Sequence, residues 1–517
     1  MASRRDELNA YTFAKKRLVA AFLQPSAAGT DEAAPRPLRA VLPGLVVGAL
    51  LLAGFGAWGI FKPKVPNGWS APGAHVIVGS ESTTRYVVLE TKGVKRLHPV
   101  LNFASAKLLL DPDNSSVMQV PESVLDGGGI QRGPMLGIPY APDRLPSAAE
   151  AGRGKLWVVC EQPGAGAGRT VQKAVFLLAD REAGKVGGKR RLHEGQALYV
   201  EADGDEATRY LVEPDGTRHA VGTTGGDRPP AREEVLRRSL FGDGARPQRV
   251  TDDWLRTLHT GSAIDFPKLP GKAGAPAGVG GGLDARLDKV GMVLKAVAGT
   301  GMQHYVVLPG EVAPVSDFVA RLLLTSPEAA VLGQKAQAAE VAPQSFTPSP
   351  DEFYADKGWP ASIPVQANDT AARTGTVCNV LHGVDAKGVA ELTTWAGPRY
   401  PVSFLDGATS AYVTPGSGVL YRQFSGASPT TGSLFLVTDT GLRYAVQTNN
   451  DSSADPSEIG ETAKPGAPGE RTVEVNQTQI RLGYRNVRPV PVPENWSNLL
   501  PKGPRLDTNS AKQPQSS

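Results

Sequence analysis

Apolar residues are unevenly spread along this chain of 517 residues. From Ala40 to Phe61 run 22 residues without a charge, framed by Arg39 and by Lys62 and Lys64. A helix rises about 1.5 Å per residue, so the run covers the roughly 30 Å of bilayer hydrocarbon. Pro43 falls in the first turn, where a missing N–H costs little. Trp58 and Phe61 fall near the far end, where aromatic side chains favour the membrane interface. A cleaved signal peptide has a shorter leader and an Ala-x-Ala site, and neither is present here. The pattern predicts a single-pass membrane anchor.

Before it, residues 5–23 read as a basic amphipathic helix. Leu8, Tyr11, Leu18, Val19 and Phe22 share a face, interrupted by Lys15, Lys16 and Arg17. Such a helix rests on anionic headgroups or docks on a partner. Tyr11, Phe13, Lys15, Lys16, Arg17 and Phe22 are the candidate docking residues. Residues 24–39 form a linker rich in Ala and Pro.

After the anchor the pattern changes to short alternating runs. Four stretches, 84–100, 208–222, 304–315 and 433–446, each start with an aromatic and β-branched run. Each then turns at Gly and resumes with apolar residues. That is hairpin chemistry, and four copies predict a repeated module. The repeats fall into two halves, about 71–265 and 284–507. Pro99-Val100, Asn102-Phe103, Leu108-Leu109 and Pro112 return 215 positions later as Pro314-Val315, Asp317-Phe318, Leu323-Leu324 and Pro327. Arg246-Pro247, Val250, Trp254, Leu258, Gly261, Ile264 and Asp265 match Arg488-Pro489, Val492, Trp496, Leu500, Gly503, Leu506 and Asp507. Every one of these pairs is 242 positions apart, with no gap. Residues 284–299 are expected to run from a turn into the strand that opens the second half. Pro489 to Pro493 is expected to be extended, and residues 508–517 to be a disordered tail. The glycine-rich stretches 164–168 and 271–282 read as loops, and 449–470 as a polar excursion from the last hairpin.

Cys160 and Cys378, the two cysteines of the chain, occupy equivalent places in the two halves. If the halves pack about a pseudo-two-fold axis, equivalent residues near the axis meet. The expectation is a disulfide between Cys160 and Cys378; the alternative is two buried thiols. An oxidising compartment preserves such a bond, which places the large part outside and the basic N-terminus in the cytoplasm. The first 39 residues carry seven Lys/Arg and four Asp/Glu, +3 of the overall net charge of +4. The rest is nearly neutral, which argues against nucleic acid as a partner.

Candidate chemistry is sparse. Gly164 to Thr170 and Gly184 to Arg191 lack the spacing, lysine or hydroxyl of a phosphate-binding loop. There is no Gly-x-Ser-x-Gly elbow. The seven histidines, at 75, 98, 193, 219, 259, 304 and 382, are scattered singly, so no metal site is expected. His98 and His219 read as strand-face residues. Asp252-Asp253 sits at a helix start, where capping explains it. No catalytic residue and no cofactor is predicted.

Taken together, the chain resembles the EccB component of actinobacterial type VII (ESX) secretion systems. The resemblance spans essentially the whole chain. It rests on Tyr11-Thr12-Phe13, Lys16-Arg17-Leu18 and the span after them. It continues through Leu136-Gly137-Ile138-Pro139, the Cys160/Cys378 pair and Asn498 to Pro504. It implies a mostly β ectodomain with some α: four repeat domains around a central domain, with a disulfide. It implies a structural role in the core membrane complex, with EccC-type ATPase, EccD-type channel and EccE-type partners and self-association. Members of the family have also been labelled ATPases, which implies ATP, and the repeats are likened to cell-wall-binding domains, which implies peptidoglycan.

Overall fold

In this computed structural model the described residues are 3–23, 38–61, 65–111, 114, 116–127, 129–164, 170–204, 208–222, 230–368, 375–403, 411–426, 428–447, 459 and 477–515. The 24–37 part of the linker, residues 165–168, and all of 449–470 except Ile459 lie outside them. The chain divides into two compact units, Met1–Asn67 and Gly68–Ser517.

The first unit holds two helices. Arg4–Leu23 carries the basic cluster. Leu38–Phe61 contains the apolar run with Pro43 inside it. Its segment Val41–Gly59 has a mean hydropathy of 2.0, long and apolar enough to cross a membrane.

The second unit contains all four expected hairpins, and each belongs to the same larger motif. In the first module, His75–Gly79, Arg85–Thr91 and Val94–Val100 form an antiparallel meander. Helix Phe103–Leu109 follows, capped by Asn102, whose side chain accepts from the Ser105 N–H. The chain then adds Ser116–Val120 parallel to the first strand, a short helix Glu122–Leu125, and Gln131–Arg132 parallel to the third strand.

The second module repeats this plan. Gln196–Ala202, Arg209–Val212 and Thr217–Val221 make its meander, and Pro230–Phe241 its helix. Gln248–Val250, helix Asp252–Leu255 and His259–Thr260 complete it. In the third module the meander is Val293–Ala298, Gly301–Leu308 and Glu311–Val315, with helix Asp317–Thr325. The fourth uses Val419–Phe424, Ser433–Val437 and Arg443–Ala445, then helix Gln477–Arg481 and strand Val490–Pro493.

Between modules the chain contributes twice to a fifth sheet. Leu156–Gln162 and Gln172–Leu178 come from the first half, Thr376–Val384 and Ala390–Gly397 from the second. Leu156–Gln162 pairs antiparallel with Thr376–Val384, so the halves meet at the middle of the sheet. One apolar cluster joins this sheet to the second and fourth modules, through Trp157, Trp254, Tyr421 and Trp496. Another joins the first module to the fourth, and a third joins the second to the third. The spatial order is therefore first, fourth, centre, second, third. That is the order a pseudo-two-fold through the centre requires.

The tail departs from expectation. Thr508–Ala511 is a helix, capped by Asp507 accepting from the Ser510 N–H. Ala511 is fully buried in the cluster of the first and fourth modules, and the Gln515 N–H donates to Met135 O at 2.9 Å. A polar composition concealed one capping carboxylate and one small residue facing a core.

Candidate functional site

Of the residues singled out in the sequence, the two cysteines meet at the two-fold centre. Cys160 lies opposite Cys378 in the strand register, and their sulfurs are bonded at 2.03 Å. Both cysteines are fully buried. The flanking partners differ between halves. Glu161 and Asn379 each follow a cysteine, and both reach the helix Asp252–Leu255 of the second module. Glu161 accepts from the backbone N–H of Thr251 at 2.8 Å and from its hydroxyl, at the helix start. Asn379 donates to Trp254 O at 3.2 Å and Thr257 Oγ1 at 2.6 Å, at the helix end. The Trp254 indole N–H donates to Val159 O at 3.2 Å. Burial pushes the Glu161 carboxyl above its ordinary range, against the pull of the Thr251 bonds and Lys173.

Capping of this helix is done by Thr251, which accepts from the Trp254 N–H, and not by the two aspartates. Asp253 instead pairs with Lys173 at 3.0 Å. On the other side of the axis, Asn495 of the fourth module donates to Arg256 O of the second. A cleft of about 410 Å³ opens there, lined by Arg256, Asn495 and Asn498 among others.

Each module also sets a partner against one aromatic of its middle strand. Arg132 lies over Tyr86 at 4.8 Å, Arg218 over Tyr210 at 5.4 Å and Arg443 over Phe435 at 5.2 Å. In the third module Phe346 meets Tyr305 edge-on at 5.0 Å instead. Arg443 is almost fully buried and is held by Gln423, Ser497 and Asn498, all neutral.

His98 and His219 are buried strand residues with structural partners. The His98 ring bonds to Pro134 O, and His219 sits between Ser262 O and Glu213. Among the described residues no three His, Cys, Asp or Glu side chains gather as metal ligands would. The candidate docking residues lie on the N-terminal helix, where Tyr11, Phe13 and Phe22 are exposed, as are Lys15, Lys16 and Arg17. They and the cysteines belong to separate units. Sequence reasoning missed Glu161, Asn379 and Arg443. Polar residues inside otherwise apolar strand runs were the available signal.

The family model described as "Type VII secretion system ESX-1, transport TM domain B" matches residues 1–516. The chain belongs to this family, EccB. Among characterised relatives, the ESX-3 secretion system ATPase EccB3 of Mycolicibacterium smegmatis is 27% identical over 431 residues, covering 80% of this chain and 76% of that protein. EccB1 of Mycobacterium tuberculosis is 24% identical over 455 residues, covering 85% and 86%. The fold matches a chain of an intact ESX-5 inner membrane complex at a TM-score of 0.56 and 20% identity, covering 100% of this chain and 96% of that one. It matches the EccB3 dimer of an ESX-3 core complex at 0.57 and 23%, covering 85% and 99%. As an EccB protein, the chain is a core membrane component of a type VII secretion complex.

Proposed function

We propose that this EccB chain is a structural subunit that braces the secretion machinery across the membrane and envelope. In this reading the helix Arg4–Leu23 lies in the cytoplasm. It docks through Tyr11, Phe13, Lys15, Lys16, Arg17 and Phe22 on EccC-, EccD- or EccE-type subunits. The helix Leu38–Phe61 crosses the membrane among its lipids, and the module array self-associates outside. The observation that carries the reading is where the buried polar groups go. Glu161 and Asn379 are engaged in fastening the second module to the central sheet, and Arg443 in bracing the fourth module internally. Rigidity is what such contacts provide.

The test is to purify tagged full-length protein in mild detergent from its native membrane and identify the chains that follow. Deleting residues 1–39, or reversing the charges of Lys15, Lys16 and Arg17, should abolish recovery of a large ATPase and a multi-span channel. Unchanged recovery would contradict the docking role. The relatives' printed names favour a second reading, an ATPase of the same system. Saturable nucleotide binding by the purified full-length protein would support it.

A further inference from the structure

Duplication supplies a control for every site in the ectodomain, because each junction between modules has a counterpart. After the fourth module, Asp507 starts a helix whose Ala511 fills the apolar cluster shared with the first module. Asp265 is the matching position after the second module, but the next residues are Phe266-Pro267-Lys268-Leu269-Pro270-Gly271. Two prolines in that stretch prevent a helix from continuing. The segment forms no helix, and a cleft of about 570 Å³ stays open between the second and third modules. Clefts of this size hold small molecules.

The chemistry of the lining is divided. Leu269, Leu323, Val331 and Leu332 make an aliphatic floor, and Val331 is exposed there. Arg232 and Glu328 form one wall and are spent on each other, at 2.6 Å. The Ser326 hydroxyl already caps the turn Pro327–Leu332 through the Ala329 N–H. That leaves Lys268 and Lys272, exposed at the rim, and among the described residues neither has an ion-pair partner. An extended peptide would bring backbone amides against these aliphatic side chains, which offer them no hydrogen bond. A hydrocarbon chain brings none.

We propose that this cleft binds a single-chain anionic amphiphile: an acyl chain along the floor and its carboxylate between Lys268 and Lys272. The site is independent of the bracing role, which the cleft does not serve. It can be tested on full-length protein in phosphatidylcholine nanodiscs, with palmitate carrying a photoreactive diazirine and peptide mapping of the label. Label should concentrate in residues 267–273 and 323–332. It should fall roughly tenfold in the K268E/K272E variant, since each lost ion pair costs up to about fivefold and reversal adds repulsion. The diazirine alcohol of equal length should label as weakly as palmitate does in that variant. Val331→Glu, at an exposed position, should also remove the label while the thermal midpoint stays unchanged. Equal labelling by acid and alcohol, indifference to K268E/K272E or to Val331→Glu, or label centred elsewhere would overturn the proposal. So would preferential labelling by a diazirine-bearing anionic phospholipid, which carries two acyl chains rather than one.

Discussion

The second and fourth modules share a gapless pattern of apolar, Trp and Gly positions, one topology, and contact with the same central sheet. The third module shares the topology but breaks one detail. In three modules a ring on the third strand faces a glycine: His98 with Gly133, His219 with Gly261, Tyr444 with Gly503. A Cβ on any of these glycines would run into the buried ring. The third module has Ala313 in place of the ring and Ser349 in place of the glycine. The backbone bond from Ser349 N–H to Val312 O matches that from Gly503 to Arg443 O. Ring and glycine are thus one unit, exchanged together. The comparison teaches that the module core is constrained residue against residue, whereas the connectors are free to diverge.

The largest expected effect tests whether the two halves are one body. Replacing both cysteines by serine opens a loop of 218 residues, and the chain-entropy description gives a loss of about 5 kcal/mol in unfolding free energy. A loss below ~1 kcal/mol would mean that packing alone holds the halves. Next, Gly261→Val and Gly503→Val should each cost about 2–3 kcal/mol by overpacking against a buried ring, while Ser349→Val costs under ~1. Thermal unfolding measures all three, and equal costs would break the comparison. Gly261→Ser combined with His219→Ala, which copies the third module, should cost less than the two changes added separately.

The smallest effect is a pH dependence. Because burial raises the Glu161 carboxyl, the ionised group opposes folding. The penalty is absent below the unfolded value near 4.5 and grows as pH rises through the folded one. The stability of Glu161→Gln relative to the parent should therefore increase with pH. Denaturation at pH 4 and pH 8 compares them, and a flat difference would contradict the assignment.

Much of this plan is legible in the sequence because it is local. Alternating runs around a Gly turn define each hairpin within about fifteen residues, and spacing alone aligns the cysteines. What stayed hidden is non-local. The strand Ser116–Val120 pairs in parallel with His75–Gly79 across two intervening strands and a helix, and no turn signal announces such a partner. The ring–glycine pairs join positions about 35 to 60 residues apart, so each glycine alone reads as a turn. Placement of the fourth module between the first and the centre follows from the two-fold, which the sequence offers only as a condition and the pairing of the central strands makes real. The tail helix rests on one cap and one alanine, too little for a periodic pattern.

The most direct test of the two-fold account is a non-reducing peptide map of full-length protein taken from its native membrane with free thiols blocked at lysis. The account predicts a single linked pair carrying Cys160 and Cys378 and no alkylated cysteine. Recovery of both cysteines as alkylated thiols would contradict the covalent centre and, with it, the proposal that residues 68–517 face an oxidising compartment.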